Sequence, residues 1–226
     1  MNVSFSLTNM TQVTFYYDLG SPYAYLAAER LPALIPERIT WQPLLLGGLF
    51  KLNGRSSWAL GDYRRRQTGM AEIEQRARDH GLRPVRWPDP WPSDYLYAMR
   101  VATFAFTVGR GRDFTVRAFH NAFQRGHDLS VHAHVLEAAE HAGLDRGEAH
   151  AATRDPQVKH TLRTATEAAH EAGVFGVPTL EIEGELFWGD DRLLDAVAHL
   201  NNQRAACEGA LSQPSTAETH DLDRRS

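Results

Sequence analysis

The sequence predicts an α/β fold in which one small mixed sheet is built from two halves that lie far apart in the chain. Three observations carry this reading. Val13 to Tyr17 is a short apolar strand pattern that leads through Asp18-Leu19-Gly20 into Ser21-Pro22, where an amphipathic helical run opens. Gly173 to Thr179 passes through Val177-Pro178 into a strand, a hairpin and a last helix. Between Gly47 and Ala165 the apolar spacing is almost entirely helical, so the sheet has no strands to draw from there.

The elements follow in order. Residues 1–11 read as a disordered leader. Ser21 at an N-cap with Pro22 at the first helical position is a strong helix start, because the hydroxyl satisfies an orphan amide and proline has no amide to lose. The helix runs from Tyr23 to Leu34, and a second strand lies near Ile39 to Leu45, with Trp41 on it. A charged helix begins at Ser57 or Asp62 and ends at His80, followed by a proline-rich connection, Arg83 to Pro92, that holds Trp87 and Trp91. Further helices are expected over Asp94–Val108, Asp113–Gln124, Leu129–Ala142 and Asp145–Thr153, bounded by capping residues and glycines. Asp155-Pro156 opens another that reaches Ala172. Thr179 to Glu183 alternates as a strand, Glu183-Gly184 turns, Leu186 to Trp188 returns, and Asp190 caps the final helix. After Leu200 the chain turns polar and loses its period, so 202–226 is expected to be a disordered tail.

Composition narrows the function classes. A formal charge of −4 gives no field for nucleic acid, and no apolar run approaches the roughly 18 residues a bilayer needs. The single cysteine, Cys207, excludes an internal disulfide and a cysteine-based metal cluster; past the last helical pattern, it reads as a surface thiol. Met1 to Met10 lacks the basic and apolar regions of a signal peptide, so a cytoplasmic protein is expected. His120, His127, His134 and His141 recur every seventh residue, but Gly126 and Asp128 break the helical register between them, and no metal is assigned. Arg64-Arg65-Arg66 reads as a solvated face, with a role in holding an anionic substrate as the alternative.

Ser21-Pro22-Tyr23-Ala24-Tyr25-Leu26 after a strand, Leu46-Gly47-Gly48-Leu49-Phe50-Lys51, Ala98-Met99-Arg100, Gly173-Val174-Phe175-Gly176-Val177-Pro178-Thr179 and Trp188-Gly189-Asp190-Asp191-Arg192 occur in that order. Together they resemble the kappa-class glutathione transferases and the 2-hydroxychromene-2-carboxylate isomerases, within the DsbA-like thioredoxin superfamily. The resemblance implies a thioredoxin-like fold formed by 12–46 and 166–201, with a large all-helical domain, 47–165, inserted between its β-α-β and β-β-α halves. It implies a cis bond at Val177-Pro178 and a cytosolic homodimer, to which the aromatics around Trp87 and Trp91 would contribute. Disulfide oxidoreductases of the superfamily carry Cys-x-x-Cys where this chain has Ser21-Pro22-Tyr23-Ala24, so dithiol exchange at that place is excluded.

What the resemblance implies about chemistry is a borrowed thiol. Ser21, the catalytic candidate, would stabilise the thiolate of glutathione, or of another low-molecular-weight thiol, at a helix N-terminus. Val177, before Pro178, would offer its backbone to the peptide part of the ligand, Asp190 and Asp191 would face the γ-glutamyl ammonium, and Tyr23 would line the same site. The family often has Asn after a glycine in the loop beyond Gly47-Gly48; that position is Arg55 here, with Asn53 nearby. Both are kept as substrate-binding candidates. Asn53-Gly54 is also a common turn. Three readings stay open: a glutathione-dependent isomerase adding thiolate reversibly to a conjugated aromatic-pathway substrate, a kappa-like transferase, and a non-catalytic thiol or peptide binder.

Overall fold

The computed structural model describes residues 11–36 and 39–211, with side chains as far as Ala205. The expected leader therefore lies outside the described residues except for Thr11, and so does the tail beyond Leu211. The sheet has four strands: β1 (Val13–Tyr17), β2 (Ile39–Pro43), β3 (Thr179–Ile182) and β4 (Glu185–Trp188), in the spatial order β2-β1-β3-β4. β1 pairs in parallel with β2, Phe15 opposite Trp41, and antiparallel with β3, Phe15 opposite Leu180. The parallel pair needs a crossover, supplied by α1 (Pro22–Leu34). The β3–β4 hairpin turns at Glu183 and Gly184, with φ of 49° and 86°, the positive pair that a tight two-residue hairpin requires.

The helical segment comprises α2 (Leu46–Leu52), a 3₁₀ turn at Trp58–Leu60, α3 (Tyr63–Asp79), α4 (Leu96–Thr107), α5 (Gly111–Phe123), α6 (His132–His141), α7 (Arg146–Ala152) and α8 (Pro156–Glu171). Asp62, Asp145 and Asp155 cap α3, α7 and α8 through their side chains. α6 starts three residues later than its apolar pattern does, because the Asp128 carboxylate accepts from both the amide and the hydroxyl of Ser130 and holds that stretch in a turn.

α4 is the hub. Its buried residues, Ala98, Met99, Val101, Ala102, Thr103 and Ala105, leave little polar surface, as expected of a helix packed on several sides. Its neighbours include β2, α5, α6, α7 and α8. The Met99 sulfur accepts from the Leu19 amide at 3.2 Å, which ties α4 to the loop before α1. One hydrophobic core thus runs from Phe15, Tyr17 and Trp41 on the sheet to Phe114, Phe119 and Val135 in the helices.

Three expectations are corrected. The last helix, α9 (Leu193–Leu211), runs on past Leu200 and includes Cys207; apolar periodicity stops earlier, but Ala205, Ala206 and Ala210 are good helix formers whatever they face. A boundary between 165 and 166 would cut through α8, which is one unbroken helix. Trp87 and Trp91 are not an exposed aromatic patch. Trp91 is 8% exposed, its ring centroid 4.6 Å from that of Trp87, and Trp87 donates to Glu74 at 2.8 Å. No helix among the described residues is long and apolar enough to cross a membrane.

Candidate active site

The turn between β1 and α1 is fixed from below by Asp18. One carboxylate oxygen accepts from the Gly20 amide and the other from the Leu46 amide, each at 2.8 Å. Burial pushes this carboxyl up to about 6; the two amide donors pull it back, and Asp94 adds to the rise. Gly20 lies flat against the buried Tyr95 ring, where a β-carbon would come within 2.5 Å of Cδ2. Ser21 follows as the N-cap of α1. Its Oγ accepts from the Ala24 amide at 3.2 Å and lies 3.4 Å from the Val177 carbonyl, and the residue is 4% exposed.

The Gly176-Val177-Pro178 loop faces that turn, and the Val177–Pro178 bond is cis, as the resemblance implies. Beyond β4 the chain swings through Gly189 (φ 112°) and delivers Asp190. Asp190 does not cap a helix. It begins a 3₁₀ turn, its Oδ1 pairs with the Arg76 guanidinium on α3 at 2.8 Å, and its carbonyl accepts from Arg30 at 2.8 Å. Asp190 is 1% exposed. Burial raises its carboxyl above the ordinary range and the neighbouring Asp191 adds to that, while Arg76 and Arg30 oppose.

These loops and the helical segment enclose a cavity of about 830 Å³. Ser21, Tyr23, Val177, Pro178, Asp190 and Asp191 all line it. The helical side adds Trp58, Trp91 and Tyr95. Tyr23 packs edge-on to Trp58 and lies under the Arg76 guanidinium, and burial pushes its phenol up to about 12. Two buried polar atoms on this wall have no hydrogen-bond partner, Asp190 Oδ2 and Trp91 Nε1. The Tyr95 hydroxyl, beside Ser93, makes no well-formed hydrogen bond. Buried polar groups are normally satisfied, and these three belong to residues that all line the one cavity.

Asn53 and Arg55 do not line the cavity. Asn53 closes α2, its amide donating back to the Leu49 carbonyl at 2.8 Å. The exposed Arg55 lies over the Phe175 ring, 5.2 Å from its centroid. The Asn-Gly turn reading accounts for Asn53 in full. Arg64, Arg65 and Arg66 occupy the first turn of α3 and do not line the cavity; the α3 arginine that does is Arg76, near the other end of the helix. In the sequence Glu72 and Arg76 read as a surface pair four apart, which they also are, at 2.7 Å. Asp18 had a signal too, since an acid two residues before a glycine is a side-chain-to-backbone turn.

The DSBA-like thioredoxin domain matches residues 12–201. A 2-hydroxychromene-2-carboxylate isomerase from Sphingobium xenophagum is 28% identical over 80% of this chain and 93% of its own length. Glutathione S-transferase kappa 1 from Homo sapiens is 25% identical over 85% of this chain and 91% of its own. Among solved structures, a 2-hydroxychromene-2-carboxylate isomerase superposes with a TM-score of 0.78 at 21% identity, covering 89% of this chain and 99% of that one. With the strand order and the facing Ser21 and Pro178 loops, these matches place the chain in the DsbA-like thioredoxin domain family.

Proposed function

We propose that this protein is a glutathione-dependent isomerase, with Ser21 as the residue that stabilises the thiolate. The observation that carries the reading is a hydroxyl at the N-terminus of α1 in a cavity that Asp190, with one carboxylate oxygen unpartnered, also lines. Glutathione, when bound, supplies a thiolate able to add reversibly to a conjugated carbon and leave again. The residues do the rest. Ser21 Oγ keeps accepting from Ala24 while its one hydrogen turns from the distant Val177 carbonyl to the sulfur. The α1 dipole favours negative charge at the same place, and the Val177 carbonyl is released to accept a peptide N–H. Asp190 Oδ2 takes the ligand's ammonium, with Arg76 holding the other oxygen in position. Trp91 Nε1 and the Tyr95 hydroxyl remain to donate to an oxygen of the second substrate.

A hydrogen bond to a charged group contributes about 1.5–3 kcal/mol. Ser21→Ala is therefore expected to lower turnover at neutral pH by roughly ten- to a hundredfold and to raise the bound thiol's pKa. The measurement is the thiolate absorbance of bound glutathione against pH, for wild type and variant. Identical titrations in the two proteins reduce Ser21 to a helix cap and leave a thiol-binding protein without catalysis. A kappa-like transferase is the second reading, favoured by similarity to the human protein over most of the chain. Product analysis separates the two, because an isomerase returns glutathione and a transferase consumes it as thioether.

A further inference from the structure

A second cavity, of about 290 Å³, shares Asp94 and Leu96 with the first and opens among α4, α6, α7 and α8. Arg100, from the Ala98-Met99-Arg100 stretch that the thiol site does not use, lines it. Arg100 is half-buried and donates to the Thr153 carbonyl at 3.3 Å. Arg154 and Lys159, both exposed, enter from α8 and the turn before it. None of these three cations is in an ion pair among the described residues, whereas Arg76, Arg125, Arg146, Arg163 and Arg192 all have carboxylate partners. The one carboxylate lining the cavity, Asp94, accepts from the Leu96 amide at 2.8 Å. Tyr97 stacks on His132, centroids 3.6 Å apart, and its hydroxyl lies 2.9 Å from His150 Nδ1. With that hydroxyl as donor, His150 carries its proton on Nε2 and has a further N–H to offer.

Three cations line this cavity against one carboxylate, Asp94, with which none of them pairs, and in a chain of net charge −4 their mutual repulsion favours an anion among them. We propose that this cavity binds the phosphate group of a small phosphate ester. Two guanidinium groups match the geometry of a phosphate, and Lys159 adds a point charge. The stacked Tyr97–His132 pair gives the organic part of the ester a flat surface to lie on. The site is independent of the thiol chemistry in the larger cavity.

The test is calorimetric titration of the full chain with inorganic phosphate and, separately, with phenyl phosphate, at constant ionic strength. Saturable binding of phenyl phosphate to the wild type is expected, with affinity falling about tenfold in Arg154→Gln and in Lys159→Gln. Arg163→Gln removes the same charge from α8 at a position outside the cavity and is expected to leave affinity unchanged. Thermal melts of the free proteins confirm that each variant is folded. Tighter binding of phenyl phosphate than of inorganic phosphate supports the ester. No saturation with phenyl phosphate, equal affinity for the two probes, or equal loss in Arg163→Gln and Arg154→Gln would overturn the proposal.

Discussion

At Asp190 one carboxylate oxygen meets Arg76 and the other meets nothing, although the residue is almost fully buried. If that oxygen receives the ligand's ammonium, Asp190→Asn should raise the Kd for glutathione by about tenfold or more. Des-amino glutathione should bind the wild type as weakly and lose little more in the variant, a non-additivity readable by a double cycle. Asp18 gives a second expectation, about stability. Burial holds its native pKa at about 6, above the ordinary 3.8, so between those values the native state holds more protons than the unfolded one. Stability contributed by this residue therefore falls as pH rises through that window, by about 3 kcal/mol. Urea unfolding at pH 4 and pH 7 should show a smaller decline in Asp18→Asn than in wild type, the raised carboxyl of Asp190 contributing in the same direction in both. At this scale the sequence was legible where chemistry is local. Ser21 reads as a cap and is one. Asp190 reads equally well as a cap and is not, because its partner sits on α3 and no periodicity records a contact made across the fold.

At the scale of the element, the turn from β1 into α1 is a tight fit beside the site. Gly20→Ala puts a β-carbon 2.5 Å from the Tyr95 ring, and overpacking a buried ring costs about 1–3 kcal/mol. The expected result is a lower midpoint in denaturant with an unchanged slope; a variant as stable as wild type would mean that Tyr95 shifts without penalty. Strand β1 and the start of α1 stand where the pattern places them, since apolar alternation and a Ser-Pro start are local signals. Helix ends were less legible. Asp128 delays α6 by a side-chain turn, and α9 outlasts its apolar face. The α2 helix was hidden within a stretch carrying Gly47 and Gly48, where helix propensity is weak.

For the whole molecule, the sequence reads as two units and the structure packs them on one core. The apolar faces of the helices are visible in the sequence, but what they face is not; α4 touches β2 as well as its helical neighbours. Sheet and helical segment should therefore unfold together. Far-ultraviolet dichroism and tryptophan emission should give coincident denaturation curves, and two resolved transitions would contradict a shared core. Emission has a further meaning in this chain. Of its five tryptophans, Trp58, Trp91 and Trp188 form part of the wall of the larger cavity, and Trp87 packs on Trp91. Four of the five indoles thus lie at or beside the site, so the chain carries its own optical gauge of occupancy, and no dye need be attached to see a ligand arrive.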